Sequence, residues 1–253
     1  MNLLKKISKF PTLYGILSVI LIWQLLSLTL QSNVLPTPFE AITSFITLFP
    51  AVLYKHILVS IYRIALALSI SLLIGISLGM ACGLYPTLDK LLSPITYILY
   101  PLPKVAFLPL FMIFMGIGDA SKVTLMVSII IFQVLIAVRD GIKEIPNELF
   151  QSMKTLGLTP IQLYKHLVIP AMLPKLFSAI RISLGICISA LFFAENFATA
   201  YGIGYLIMNA WSMVEYPKMF AGIIGLSLLG LILFKLVDLL EAKCCPWLKN
   251  RTK

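Results

Sequence analysis

Long apolar stretches dominate the chain, and the short segments between them carry most of the charged residues. An α-helix rises 1.5 Å per residue, so about 20 apolar residues are needed to cross ~30 Å of hydrocarbon. Six stretches approach this length, near residues 12–30, 58–83, 95–115, 121–138, 177–197 and 218–240. The pattern predicts an all-α, polytopic membrane protein with six transmembrane helices.

Composition supports this interpretation. Of the 253 residues, 60% are hydrophobic and 12% are charged, whereas soluble domains carry about 25% charged residues. The net charge of +10 is spread over many loops, so it does not indicate a nucleic-acid site. The four cysteines (Cys82, Cys187, Cys244 and Cys245) show no zinc-ligand spacing, and we expect neither a metal site nor a disulfide.

The distribution of basic residues predicts the orientation of the spans, because loops rich in Lys and Arg stay in the cytoplasm. With the N-terminus inside, the inner segments hold 13 of the 20 Lys and Arg residues, and the outer segments hold 3. Both termini are therefore expected in the cytoplasm, together with the long hydrophilic stretch 139–176.

That stretch has the pattern of two short helices. Pro146 suits a first helical position, and Gly157 suits the left-handed residue that ends a helix. Thr159-Pro160-Ile161-Gln162 matches a capping box that starts a second helix, which Pro170 is expected to end. The apolar positions of the first helix are Leu149, Phe150, Met153 and Leu156. They either cover the protein's own bundle or the lipid headgroups, or they dock into a groove of another protein.

Gly75-Ile76-Ser77-Leu78-Gly79 matches the G-x-S-x-G motif of hydrolases, but it lies inside an apolar helix without a strand before it. Gly75 and Gly79, with Gly83, recur every fourth residue. This spacing favours close helix packing and argues against an enzyme.

Charged residues at membrane depth need a partner, water or an escape to the interface. Lys104 lies mid-span after Pro101 and Pro103, which are expected to break the helix. It is a candidate to attract an anion in a pathway, and the alternative is pairing with an acid such as Glu195. We expect Arg63 and Arg181 to be structural.

Several motifs resemble the permease subunits of binding-protein-dependent ABC importers. Gln151-Ser152-Met153, Gly157 and Leu167-Val168-Ile169-Pro170 have the spacing of the E-A-A, glycine, I-x-L-P loop of that family. The segments 101–110, 116–118 and 201–207 are similar to the branch that handles nitrate, sulfonate, taurine and bicarbonate. The resemblance covers about residues 35–245. Gln-Ser-Met replaces Glu-Ala-Ala, so any salt bridge made by the family's acid is in doubt.

The resemblance implies a type I ABC importer permease fold and a division of labour between subunits. An anchor segment (1–34) precedes the transmembrane domain (35–245, with the coupling loop at 139–176), and a basic tail (246–253) follows. The residues expected to couple to an ATPase are Gln151, Ser152, Met153, Gly157, Thr159, Pro160 and Pro170.

The resemblance also implies three protein partners in a bacterial or archaeal plasma membrane. They are a cytoplasmic ATPase that holds ATP and Mg²⁺, an extracytoplasmic solute-binding protein, and a second permease copy in a homodimer. No cofactor is expected on this chain, which has no G-x-x-x-x-G-K-[ST] motif. An autonomous secondary transporter or channel is the alternative, although such proteins tend to show repeated halves and midplane acids.

Glu195 and Asn196 end the fifth span on the predicted outer side. Polar residues at a helix end are ordinarily solvated. The resemblance instead implies that this region lines the outer gate, so both residues are pathway candidates.

Overall fold

The structure is a computed structural model that describes residues 11–30, 32, 34–197 and 199–251, with side chains described from Tyr14 to Leu248. Within these ranges the chain is helical and has no strand. The α-helices are α1 (Pro11–Leu30), α2 (Pro38–Leu48), α3 (Tyr54–Leu84), α4 (Pro86–Leu99), α5 (Leu108–Met115), α6 (Asp119–Lys143), α7 (Asn147–Thr155), α8 (Pro160–Leu163), α9 (Ile169–Glu195), α10 (Ile203–Ser212) and α11 (Tyr216–Cys244).

Short irregular turns join some of these helices. The π-helical turns Phe49–Leu53 and Tyr164–Val168 connect α2 to α3 and α8 to α9, and 3₁₀ turns cover Lys104–Phe107 and Pro246–Arg251. The all-α prediction is confirmed. The predicted start of the basic tail lies in the second 3₁₀ turn, and residues 252–253 lie outside the described residues.

Four helical rods are long and apolar enough to cross a membrane: Pro38–Leu84, Asp119–Lys143, Pro160–Glu195 and Tyr216–Cys244. Pro86–Leu99 and Lys104–Met115 make a fifth span if the bent pair is taken as one. In α1 the side chains are described from Tyr14 only, and Tyr14–Leu30 is a shorter apolar helix. The sixth span therefore stays a prediction.

The helix α6 lies at the centre of the bundle, with α3 packed on one side and α9 on the other. Its buried positions recur at helical spacing and belong to the main core: Val123, Met126, Ile130, Val134, Val138 and Ile142. Apolar burial at this spacing orients α6 inside the bundle.

The glycines predicted to pack helices lie where α3 meets α6. A Cβ atom added at Gly75 would lie 2.8 Å from Val134 Cγ1, and one at Gly79 would lie 2.7 Å from the carbonyl oxygen of Leu135. At Gly83 it would lie 2.8 Å from Ile142 Cβ. These distances leave no room for a side chain, so the two helices approach at the glycines.

The third predicted span is broken where the prolines predict it. The chain bends by 84° between α4 and the helical stretch that begins at Lys104. Pro101 and Pro103 lie in the break, where their missing N–H groups cost no helical hydrogen bond.

The expectation that Pro170 ends a helix is wrong. The chain runs as one helical rod from Pro160 to Glu195, through both Pro170 and Pro174. Pro170 is the second residue of α9, where the backbone N–H is not required. The preceding π-helical turn carries the rod past this point, with the N–H of Ile169 donating to the carbonyl oxygen of Tyr164.

Candidate functional site

The bundle has two ends that carry different sets of predicted site residues. Asp119, Glu195 and the start of α10 lie together at one end, which we call the Glu195 end. The helix α7 and the joints before and after it lie at the opposite end of α6 and α9, which we call the Gly157 end. The break at Lys104 separates α4 from the helical stretch that leads to the Glu195 end.

The turn at the Gly157 end has the local structure that its sequence predicts. Gly157 follows α7 with φ of +75°, the left-handed conformation that glycine adopts without strain. The Thr159 hydroxyl accepts from the N–H of Gln162, and the Gln162 side chain accepts from the N–H of Thr159 (2.8 Å). Pro160 is the first residue of α8. Pro146 caps α7 instead of occupying its first position, a shift of one residue.

The apolar positions around Gly157 divide between two environments. Phe150 and Met153 pack against the main core. Leu156 and Ile161, on either side of the turn, are 75% and 80% exposed, and Leu149 is 46% exposed. The bundle therefore covers only part of the stripe and leaves an apolar turn uncovered.

The remaining predicted coupling residues surround this turn. Gln151 and Ser152 are exposed on α7, and the Ser152 hydroxyl donates to the carbonyl oxygen of Glu148 (2.8 Å). Pro170 lies in the first turn of α9 and is half-buried. The stretch 144–159 is the joint between α6 and the long rod, and the rest of 139–176 belongs to those two helices.

Lys104 lies in the break of the third span. Its Nζ donates to the carbonyl oxygens of Leu99 (2.8 Å) and Tyr100, which the end of α4 leaves without helical partners. Nζ also lies 5.2 Å from the ring centroid of Phe132. The expected pairing of Lys104 with Glu195 is wrong, because Glu195 pairs elsewhere.

Glu195 is the centre of a buried polar cluster. Its side chain is fully buried, and Oε1 lies 2.7 Å from Nη1 of Arg63, which is itself 3% exposed. The Ser60 hydroxyl donates to Oε1 (2.8 Å), and the N–H of Gly204 donates to Oε2 (2.8 Å). The alternative of a solvated helix tip is therefore wrong for Glu195.

Arg63 extends this cluster to the start of α6 and to the loop before α10. It donates through Nε (2.8 Å) and Nη2 (2.6 Å) to Oδ1 of Asp119 at the start of α6. It also donates to the carbonyl oxygen of Tyr201 (2.9 Å) and to the hydroxyl of Thr199 (3.3 Å). Arg63 and Glu195 thus tie α3, α6, α9 and the approach to α10 together.

Close packing completes the cluster. Gly202 has φ of +137°, and a Cβ atom there would lie 2.3 Å from the Glu195 carboxyl carbon. A Cβ at Gly204 would lie 2.6 Å from the carbonyl oxygen of Phe192. Nδ1 of His56 lies 2.9 Å from the carbonyl oxygen of Gly202. The loop before α10 is therefore seated on α9 with no space for side chains.

Asn196 is half-buried beside this cluster. With its amide nitrogen facing the neighbouring carbonyls, it donates to Gly204 (3.1 Å) and Phe192 (3.2 Å). The structure thus engages both predicted gate residues in fixed contacts with the start of α10.

Three arrangements were missed by sequence reasoning. Lys122, one of the three basic residues counted in the predicted outer segments, is 1% exposed, and its Nζ donates to the carbonyl oxygen of Ile117 (2.8 Å). Arg63 was expected to be structural, but its partners are 56 and 132 residues away and carry no local signal. Asp238 pairs with Arg181 (2.7 Å), a contact between residues 57 positions apart that no local pattern indicates.

The ion pairs at the Gly157 end are more exposed. Lys143 pairs with Asp89, and Lys175 pairs with Glu144. The Lys175 and Glu144 side chains are 37% and 67% exposed. Such pairs contribute little to stability.

The four cysteines are free thiols, and only Cys244 is exposed. Burial raises the pKa of the Cys245 thiol, and the nearby Glu241 carboxylate raises it further, so this thiol stays protonated at neutral pH. The part of the chain that the structure describes contains no group of three or more His, Cys, Asp or Glu side chains able to hold a metal ion.

Comparison with known proteins gives this architecture a context. Among curated proteins, the taurine transport system permease protein of Escherichia coli is 31% identical over 242 residues, which cover 92% of this chain and 88% of the relative. A putative aliphatic sulfonates transport permease protein of Bacillus subtilis is 32% identical, covering 90% and 84%. The bicarbonate transport system permease protein of Synechocystis is 26% identical, covering 93% and 89%.

The family model "binding-protein-dependent transport system inner membrane component" matches residues 71–244. This stretch runs from the middle of α3 to the end of α11 and contains the turn at Gly157 and Glu195 itself, whereas Arg63 and Ser60 lie just before it. ATP-binding and substrate-binding partner proteins are implied for this family, whose ATPase is a separate subunit. The chain belongs to the binding-protein-dependent transport system inner membrane components, the multi-pass permease subunits of ABC transporters.

Proposed function

We propose that this chain forms the membrane pathway for a small organic or inorganic anion, of the taurine, sulfonate or bicarbonate type. The substrates for which its relatives are named, taurine, aliphatic sulfonates and bicarbonate, support this substrate class. The Gly157 end is then cytoplasmic, with both termini on that side, because 13 of the 20 basic residues fall there under this orientation.

The observation that carries the proposal is the uncovered apolar turn around Gly157. Leu156 and Ile161 are the most exposed apolar side chains of this region and flank a turn fixed by the Thr159 cap. An apolar, short helical element of this kind fits a groove on a partner protein. We assign the groove to the ATPase subunit, with Gln151, Ser152, Met153, Pro160 and Pro170 around the contact.

The long rod gives the contact a route into the membrane. The helix that begins at Pro160 ends at Glu195, so movement of the turn displaces the cluster at the other end as part of a rigid body. In this scheme Glu195 and Asn196 position the outer gate, and Lys104 faces the pathway.

Three further assignments complete the proposal. The transmembrane domain extends over residues 35–245 after an anchor segment (1–34), and two copies form a homodimer around the pathway. The solute-binding protein delivers its ligand at the Glu195 end. A single chain with one broken span is a narrow bundle, which supports pairing with a second copy.

The test replaces an exposed apolar residue of the turn by an acid. Leu156→Glu or Ile161→Glu should lower both co-purification of the ATPase subunit and ATP-dependent uptake by tenfold or more, because a buried unpaired carboxylate opposes docking. Ile117→Glu is the control for co-purification of the ATPase subunit, which it should leave unchanged, since Ile117 is 60% exposed at the opposite end of the bundle. Binding of the ATPase and uptake that are unchanged in both turn variants would refute the assignment.

Replacement of Gly157 by a bulky residue tests coupling. A Cβ atom meets nothing within 4 Å there, but the positive φ disfavours β-branched residues. Because the added Cβ atom meets no clash, Gly157→Val should leave the permease folded. Because the strained backbone changes the turn, ATP hydrolysis should proceed without matching uptake. Normal uptake per ATP hydrolysed would contradict this role.

A further inference from the structure

A cavity of about 350 Å³ lies beside the break of the third span. Tyr100, Lys104 and Gln133 line it together with apolar side chains that include Val105, Ile129 and Ile186. Pockets for small ligands are of about 300–1,000 Å³ and combine apolar walls with a few polar groups. The size and lining therefore fit a small amphipathic solute.

The Lys104 ammonium can still donate a hydrogen bond to a ligand in this cavity. It carries three donor hydrogens, and two of them serve the carbonyl oxygens of Leu99 and Tyr100. No carboxylate within the described residues lies at ion-pair distance from it. One donor is therefore free, and the positive charge faces only carbonyl oxygens and the rings of Tyr100 and Phe132. Among these described residues it has no carboxylate partner, which an ammonium at membrane depth requires for full compensation.

Gln133 supplies the second polar group. Its Oε1 accepts from the hydroxyl of the fully buried Ser183 (2.7 Å), which holds the amide in one orientation. Within the described residues the amide nitrogen has no acceptor. An amide nitrogen offers two donor hydrogens, so the cavity presents donors from two elements and no acidic side chain.

The cavity has a continuation toward the Gly157 end. A second cavity of about 740 Å³ shares Tyr100 with it and is lined by Lys90 and Arg139 among others. Arg139 and Gln133 are six residues apart on α6, and Ile136 between them lines the larger cavity. The two cavities therefore lie next to each other along one side of α6, and the larger one is lined by Asp89 as well as by Lys90 and Arg139.

We propose that the cavity at Lys104 and Gln133 is a transient binding site for a small organic monoanion, a sulfonate or carboxylate with a short apolar body. The anionic oxygens accept from Lys104 Nζ and from the Gln133 amide, and the carbon chain lies against Ile129, Val105 and Ile186. This inference rests on the proposed anion import and adds the place where the anion pauses in the membrane.

The test measures electrostatic selectivity at Gln133. In the permease–ATPase complex in liposomes, Gln133→Cys is made with Cys244→Ser, which removes the exposed native thiol. The introduced thiol is treated with a sulfonate-bearing and with a trimethylammonium-bearing methanethiosulfonate. The anionic reagent should react at least tenfold faster than the cationic one, relative to a free thiol.

Charge variants separate the site from general effects. Lys104→Gln should abolish the selectivity, and Lys104→Arg should keep it. Lys55→Gln, which removes an exposed lysine of the Glu195 end, should leave it unchanged. In the Gln133→Cys protein that retains Lys104, ethanesulfonate should slow the reaction of the thiol, and the neutral ethyl methyl sulfone should not. This comparison tests the site even if Lys104→Gln fails to fold.

The outcomes distinguish this inference from the proposed function. Selectivity that survives Lys104→Gln, absence of reaction with both reagents, or equal protection by the two solutes overturns the site. Each of these results leaves anion import standing if ATPase binding and uptake persist. Loss of ATPase binding in the unmodified protein, with selectivity intact, overturns importer coupling and spares the site.

Discussion

The two ends of the bundle hold their charges in opposite ways. At the Glu195 end, Arg63 and Glu195 are buried and make several hydrogen bonds to side chains and backbone. At the Gly157 end, pairs such as Lys175 with Glu144 lie at the surface. The glycines differ as well, because Gly204 has no room for a methyl group and Gly157 has open space.

This contrast indicates which end of the permease is the more rigid. A buried ion pair tolerates no loss of one partner, since the other is left uncompensated in a medium of low dielectric constant. An exposed pair exchanges its partner for water at little cost. The Glu195 end is therefore a fixed junction of helices, and the Gly157 end, with exposed ion pairs and open space at Gly157, is the less constrained of the two.

The largest expected effect is that of Arg63→Met. It leaves the fully buried Glu195 carboxylate without its ion-pair partner and should lower the free energy of unfolding by about 3–5 kcal/mol, measured by denaturation of the purified permease in mild detergent. The double variant Arg63→Met, Glu195→Leu removes both charges and should be less destabilised than the single one. If the single variant lowers the free energy of unfolding no more than Lys175→Gln does, the proposed contrast between the two ends is wrong.

Gly204→Ala comes next. Its added methyl group would overlap the carbonyl oxygen of Phe192 at 2.6 Å, and overpacking of this kind costs about 1–3 kcal/mol. Gly185→Ala is the matched control, because a Cβ there lies 3.8 Å from Phe234 Cζ, at ordinary contact distance. If the two variants unfold at the same denaturant concentration, the seat of α10 is looser than described.

Gly157→Ala should cost about 1 kcal/mol, the penalty of a Cβ in the left-handed conformation. No packing loss adds to it, because nothing lies within 4 Å of the added atom. Gly157→Asn should cost less, since asparagine tolerates this conformation. Equal losses for the two variants in the same denaturation assay would show that backbone conformation is not the cause.

Lys175→Gln should have the smallest effect, about 0.5 kcal/mol or less in the free energy of unfolding. Lys165→Gln is its control, because Lys165 is exposed and makes no ion pair within the described residues. A loss above 2 kcal/mol for Lys175→Gln alone would mean that the Gly157 end is as fixed as the opposite one.

Local patterns predicted local structure. The spacing of Gly75, Gly79 and Gly83, the cap at Thr159 and the break after Pro101 each depend on residues a few positions apart, and each is found in the structure. Hydropathy located the apolar rods because membrane insertion requires length and apolar character together.

Partners distant in sequence were not predictable in the same way. Which acid pairs with Arg63 depends on how α3, α6 and α9 pack, and a single sequence gives no measure of that. The burial of Lys122 was missed for a related reason, because a flexible lysine reaches nearby carbonyls that no pattern announces. The expectation that Pro170 ends a helix was wrong because the adjoining π-helical turn removes the need for its hydrogen bond.

The helix from Pro160 to Glu195 spans 36 residues, or ~54 Å at 1.5 Å per residue. One end is the turn at Thr159, and the other carries the carboxylate that pairs with Arg63. The π-helical turn Tyr164–Val168 and Pro174 lie within this length without interrupting it. Under the proposed docking of the ATPase subunit, a single continuous helix would link the energy-supplying subunit to the polar cluster on the far side of the membrane.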